Sequence, residues 1–288
     1  MPHLTLTAAM GDMLPHSAMG RQVTTTEFLA RHPVFSLAEA ERELAPAGGR
    51  SATVERLKHH LGTGRLKLVA RELYAVVPPG TAPQDLQVDP FLCAAAARAG
   101  AVFSHHAALE LLGAAHSVWS ECTVYSARAR RPLELNGATV RFLQPPAAMR
   151  GHRGGRSFAT RRVERMGRLL EVTSPERTLV EGFQRPKLAG GLEELVASAV
   201  GFASLDLALL QAILERHAVA QLWAATGWFL ERTRASFHAP DRLLERWAEK
   251  RPASPQYLER GRRGGRLARR WNLIVPAEIE RLGERDER

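Results

Sequence analysis

The sequence predicts an α+β protein, mostly helical, on three observations. Residues 24–80 carry short helical patterns followed by two strand-like runs. Residues 91–185 mix helical stretches with apolar alternation of period two. From Leu192 onward nearly everything keeps helical spacing, in blocks at 192–202, 205–217, 219–235 and 241–250. The 288 residues divide into an N-terminal unit at 21–80 and a larger one at 91–288, the latter mixed α/β over 91–185 and mainly helical over 190–288. Residues 1–20 hold four of the six methionines and show no periodicity, so they read as a disordered tail in which Met19 offers an alternative start.

In the N-terminal unit, Thr24 and Glu27 have the spacing of a capping box, opening a helix that carries Phe28 and Leu29 and ends at Pro33. Ser36 caps a second helix whose Leu37, Ala40 and Leu44 share one face. Pro46, Gly48 and Gly49 make a turn, and Ser51 is expected to cap a third helix. There Val54, Leu57 and Leu61 should face the core, leaving Thr53, Arg56, His59 and His60 outside, with Gly62 and Gly64 ending the helix. Leu66 and Leu68 alternate with Arg65 and Lys67 as a half-buried strand, and Leu73 to Val77 form a second. Three helices followed by a hairpin is the order of a winged helix-turn-helix, in which the third helix enters the DNA major groove and the hairpin lies on the backbone. From Arg50 to Arg71 six bases stand against one acid, Glu55. Arg56 is the expected guanine contact, and Ser51 and Thr53 could bond to phosphate or base. His59 and His60 point about 100° apart, which disfavours joint chelation of one ion.

Residues 78–90 are Pro-rich and polar and read as a linker. Phe91–Ala99 is an Ala-rich helix. Ser104 caps the next, SHHAALELLG, closed by Gly113; no Cys, Ser or carboxylate constellation accompanies His105-His106, which reads as a structural pair. Strands are expected at 116–126, 138–143 and 169–173. From Arg128 to Arg168 eleven arginines face two acids, Glu134 and Glu164, much of the excess in RARR (128–131) and RGHRGGR (150–156). That run is either a second surface for nucleic acid or an acidic partner, or a set of solvated loops. Ser174 and Pro175 open the helix SPERTLVEGF, with Leu179, Val180 and Phe183 as its buried stripe. Trp223, Trp228, Phe229 and Trp247 fall at core positions. The basic run 260–271 lacks the Gly-Lys-Ser/Thr ending of a phosphate-binding loop, and apolar Leu273–Val275 follows it.

The net charge of +10 favours an anionic partner, although arginine enrichment alone also raises it. Cys93 and Cys122 read as buried free thiols. No basic-then-apolar leader opens the chain, and Gly201, Ser204 and Asp206 break the apolar stretch 195–214, so a cytoplasmic protein with no membrane span is expected. No catalytic, cofactor-binding or metal-ligating set emerges from the motifs.

Several stretches together resemble the AbiEi family, the antitoxin component of type IV toxin–antitoxin and abortive-infection systems. They are LYAVVP (73–78), SHHAALELLG (104–113), Arg141-Phe142, SPERTLVEGF (174–183), GGLEELV (190–196) and RWNLIVP (270–276), in order across roughly Thr24 to Pro276. The resemblance implies a winged helix-turn-helix that binds inverted repeats of double-stranded DNA in its own promoter and represses it. It also implies a C-terminal region that counteracts a nucleotidyltransferase-like toxin, without a stable complex being required, and no enzymatic activity or cofactor. Carried onto this sequence, the DNA-binding residues are Ser51, Thr53, Arg56, Lys58, Arg65, Lys67 and Arg71. The family's Arg-Gly-x-Tyr wing turn is here Arg71-Glu72-Leu73-Tyr74. Tight hairpins favour Gly or Asn, so Glu72 predicts a wider turn and places an acid near the phosphates.

The residues leave two other readings open. A DNA-binding module fused to a nuclease would need clustered carboxylates for Mg²⁺, for which only Glu171, Asp85 and Asp89 offer themselves. A solitary regulator would sense a small ligand through its helical C-terminal part.

Overall fold

Two capping boxes begin the fold. Ahead of helix α1 (Thr25–Arg31), the Thr24 hydroxyl accepts the Glu27 N–H at 3.2 Å and the Glu27 carboxylate accepts the Thr24 N–H at 2.9 Å. Strand β1 (Val34–Ser36) follows, and Ser36 caps α2 (Leu37–Leu44) in the same way with Glu39, at 3.3 and 2.8 Å. Helix α3 (Gly49–Gly62) leads into β2 (Leu66–Ala70) and β3 (Leu73–Val76). The three strands form an antiparallel sheet in the order β1-β3-β2. Phe28, Phe35, Leu44, Leu57 and Leu66 fill the space between helices and sheet, and Tyr74 stacks on Phe35 at 5.6 Å. Each such side chain taken fully out of water contributes about 1.5–3 kcal/mol.

The computed structural model describes residues 23–128, 131–150, 157–259, 261 and 264–282. The expected tail at 1–20, the loop 151–156 and parts of RARR and of the run 260–271 lie outside the described residues.

The 78–90 stretch is not a loose connection. Leu86 is buried, and its carbonyl accepts from Lys67 Nζ at 3.3 Å. Asp89 caps α4 (Pro90–Ala97), accepting from the Phe91 and Leu92 N–H groups at 2.8 and 3.0 Å. Helix α4 lies on the back of the N-terminal sheet, where Val34, Leu73, Ala75 and Val77 share a core with Leu92, Cys93 and Ala96. That sheet is therefore apolar on both faces.

A six-stranded mixed sheet occupies the centre. Its strands are β4 (Val102–Phe103), β5 (Glu121–Tyr125), β6 (Leu133–Leu135), β7 (Ala138–Leu143), β8 (Thr160–Arg165) and β9 (Arg168–Thr173), in the spatial order β6-β7-β5-β4-β9-β8. The β5–β7 and β4–β9 pairs are parallel and the other three antiparallel. One face, including Phe103, Val124, Val140, Phe142 and Val172, packs under α4 and α5 (His105–Leu111). β7 has the bounds expected for it and β9 starts one residue early. The strand expected at 116–126 shrinks to Glu121–Tyr125, and β1, β4, β6 and β8 were not foreseen.

The remainder is mainly helical, as expected. Helix α6 (Pro175–Gln184) starts at the Ser174 cap, and α7 (Leu192–Val200), α8 (Leu207–His217), α9 (Ala220–Arg232), α10 (Arg234–Phe237) and α11 (Asp241–Ala248) enclose a core holding Trp223, Trp228, Phe229 and Trp247. A small sheet of β10 (Gln256–Tyr257), β11 (Arg266–Ala268) and β12 (Leu273–Val275) closes it, followed by α12 (Ala277–Leu282). Trp271 lies against α9 at Gly227, where a Cβ would stand 2.1 Å from the indole, so no larger residue fits. Its indole N–H donates to Glu231 at 2.6 Å. The protein is thus a mixed α+β fold, mostly helical, and among the described residues no helix is long and apolar enough to cross a membrane.

Candidate nucleic-acid interface

The turn before α3 moves its start. The Pro46 carbonyl accepts from both Gly48 and Gly49 at 2.9 Å, Gly49 takes φ +57, and the helix begins at Gly49 with Gly48 as its uncapped N-cap. Ser51 is therefore not the cap; it lies exposed in the first turn. Thr53 is fully buried, its hydroxyl donating to the Gly49 carbonyl at 3.1 Å, which corrects its expected outward position. Thr53 and Leu57 define the inward face, with Val54 and Leu61 packed beside them. At about 100° per residue, the opposite face centres on Ala52, Glu55 and His59, with Arg56 and Lys58 on its flanks. Lys58 is paired with Glu55 at 2.7 Å.

The hairpin is tighter than Glu72 predicted. Ala70 pairs with Leu73, so Arg71-Glu72 is a two-residue turn, accommodated by a register shift between Leu68 and Ala70 and by φ 61 at Glu72. The Glu72 carbonyl accepts the Leu37 N–H at 2.8 Å, and its carboxylate holds Arg50 at 2.8 Å while Glu41 holds the same guanidinium at 3.0 Å. The acid feared near the phosphates is thus tied to the start of α3. Lys67 lies on the α4 side of the sheet, bound to the Leu86 carbonyl. Leu68 is 53% exposed, against the burial its alternation predicts, because β2 is the outer strand and only Leu66 reaches the helical core.

Of the seven expected contacts, Ser51, Arg56, Lys58, Arg65 and Arg71 are exposed, whereas Thr53 and Lys67 are engaged within the fold. Arg56, Arg65 and Arg71 form no ion pair with any described residue. The His59 and His60 rings meet edge-on at 5.4 Å, and partial burial, then Arg65 and His59, hold His60 below its ordinary value. Among the described residues, no group of three or more His, Cys, Asp or Glu is placed to hold a metal ion.

A buried polar cluster beneath the central sheet has no counterpart in the sequence reading. Arg177, fully enclosed in α6, donates to Glu181 at 2.8 Å, to the Ser157 hydroxyl at 2.8 Å and to the Phe158 carbonyl at 2.7 Å. Tyr125 donates to the other Glu181 oxygen at 2.9 Å. Burial raises the Glu181 and Tyr125 values, against the pull of Arg177. Beside Tyr125, His105 adopts φ +54, and burial, then Arg185 and Arg177, hold its imidazole at about 3. His106 lies against Trp119, with Nε2 3.4 Å from Glu194. The four-residue spacing of Arg177 and Glu181 was the available signal, but it equally describes a solvated helix pair.

Two of the three carboxylates that a nuclease reading would use have other engagements. Asp89 caps α4 and holds Arg165 at 2.7 Å, and Glu171 accepts the Thr160 hydroxyl at 2.7 Å. Cys93 and Cys122 are free and buried, and burial pushes the Cys93 thiol up to about 12.

No protein-family model and no curated protein matches the chain. Among solved structures, the chain is similar in fold to the RV2827C protein of Mycobacterium tuberculosis, at 18% identity and a TM-score of 0.58, over 88% of this chain and 92% of that one.

Proposed function

We propose that this protein is a DNA-binding transcriptional autorepressor and antitoxin of the AbiEi type, acting without enzymatic activity against a nucleotidyltransferase-like toxin. In this reading residues 21–80 are a winged helix-turn-helix, with α3 as the reading helix and the β2–β3 hairpin as a short wing. The observation that carries it is the set of exposed guanidiniums of Arg56, Arg65 and Arg71, without an ion pair among the described residues, on α3 and the hairpin after it. The element order α1-β1-α2-α3-β2-β3 supports the same reading. So do the sequence stretches behind the AbiEi resemblance, which fall on β3, α5, β7, α6, α7 and β12.

A mobility-shift titration on the upstream promoter fragment tests it. The protein should prefer a fragment bearing an inverted repeat, and Arg56→Ala should cost about 1–3 kcal/mol on that site and much less on random DNA. Indifference to the repeat at low salt would sink the proposal. The antitoxin part is tested by co-expression with a neighbouring nucleotidyltransferase-like gene, whose toxicity the protein should relieve.

A further inference from the structure

Between the N-terminal module and the end of the central sheet where β4 and β9 begin lies a groove of about 1230 Å³. Small residues on either side of Arg98 leave room for it, and Leu133 and the exposed Leu169 give it apolar wall. Arginines line it from six separate segments: Arg42 from α2, Arg71 from the hairpin turn, Arg98 after α4, Arg131 before β6, Arg162 from β8 and Arg168 from β9. The carboxylates that also line it are engaged. Glu39 is bound by Arg168, Glu72 by Arg50, and Glu171 accepts the Thr160 hydroxyl. The other five arginines form no ion pair with any described residue, and the Arg98 Nε is buried with no hydrogen-bond partner among them.

Gathering unpaired guanidiniums around one hollow is repulsive, and a ligand bearing clustered negative charge relieves that repulsion while supplying the missing acceptors. Phosphate oxygens match the forked donors of arginine, and the apolar wall suits a ring system beside them. The volume is at or above the upper end of small-ligand pockets, which span about 300–1,000 Å³. A duplex spreads its phosphates along a convex backbone, whereas these guanidiniums face a hollow. We infer that the groove binds a nucleotide-sized organic polyphosphate. This site lies beyond the DNA-binding reading and does not rest on it, although the two share Arg71.

Isothermal titration of the full chain with ATP and with inorganic tripolyphosphate, at about 0.15 M ionic strength where bulk charge attraction is screened beyond about 8 Å, tests the inference. Saturable binding of one molecule per chain is expected. Arg98→Gln and Arg162→Gln should each weaken it about tenfold, the worth of one charge-assisted contact. Arg161→Gln is the control, because strand alternation puts Arg161 on the opposite face of β8 from Arg162. Tighter binding of ATP than of tripolyphosphate supports a role for the apolar wall. No binding of either probe overturns the inference, as does equal weakening by all three variants. If Arg98→Gln and Arg162→Gln lower affinity for promoter DNA while neither probe binds, the groove is a nucleic-acid contact and the inference is wrong. Thermal unfolding of each variant confirms that its fold is retained, so loss of binding cannot be ascribed to misfolding.

Discussion

At φ +54, fully enclosed and beside Arg177 and Arg185, the His105 imidazole stays neutral down to about pH 3, whereas an unfolded chain protonates it near its ordinary 6.5. Below 6.5 the unfolded state therefore binds a proton that the folded state refuses, and stability falls with pH until the folded value is reached. The slope from this group is about 1.4 kcal/mol per pH unit between about 6.5 and about 3. His217, held at about 4 by burial and then Arg177, acts in the same direction. Glu181 acts in the opposite sense, since its raised value makes the folded state take a proton first as pH falls. Urea midpoints measured between pH 7 and pH 4.5 should fall steadily. Asparagine tolerates the left-handed conformation and does not titrate, so His105→Asn should flatten that decline. An unchanged slope in the variant would show that His105 does not control it.

At the level of elements, the parts legible in the sequence are those decided locally. Thr24 with Glu27 and Ser36 with Glu39 satisfy orphan helix donors within four residues, so spacing alone locates α1 and α2. Ser174-Pro175 marks α6 for the same reason. The parts not legible depend on distant partners. β8 reads TRRVER, which is too polar for an isolated strand; β9 supplies its ladder. β1 and β4 are three and two residues long, too short for alternation to register. Thr53 lies only about 40° from Leu57 around the helix, and the Gly49 carbonyl four residues back satisfies its hydroxyl, so a polar residue can face the core there. The hairpin turn offers a test. Glu72→Gly relieves a left-handed conformation costing about 1–2 kcal/mol. It also loses an exposed pair worth at most about 1 kcal/mol and adds about 0.4–1 kcal/mol of chain entropy to the unfolded state. Thermal stability should stay nearly unchanged while affinity for promoter DNA rises, because an acid leaves the proposed interface. A drop in affinity would mean that the Arg50–Glu72 pair shapes the contact.

Across the whole molecule, the N-terminal module and the rest share structure rather than a tether. Val34, Leu73, Ala75 and Val77 are covered by α4, and Arg168 at the start of β9 bonds to both the Val34 carbonyl and Glu39. A fragment of residues 21–80 exposes one apolar face of its sheet and should bind hydrophobic dye and aggregate. A fragment of residues 21–97, which retains α4, should be markedly more soluble and more stable to heat. Equal behaviour of the two would show that the module folds independently of its neighbour.

The ion pairs around α3 also set how the proposed DNA binding should respond to salt. Condensed cations are released from a duplex only by protein charges free to replace them; Lys58 and Arg50 are already neutralised by Glu55, Glu41 and Glu72, and Lys67 is held on the α4 side of the sheet by the Leu86 carbonyl. With Arg56, Arg65 and Arg71 left to act, one chain on B-DNA should lose affinity with a log–log slope near −2.7, about half what the six bases from Arg50 to Arg71 would give. A steeper measured slope would reveal phosphate contacts made outside the N-terminal module.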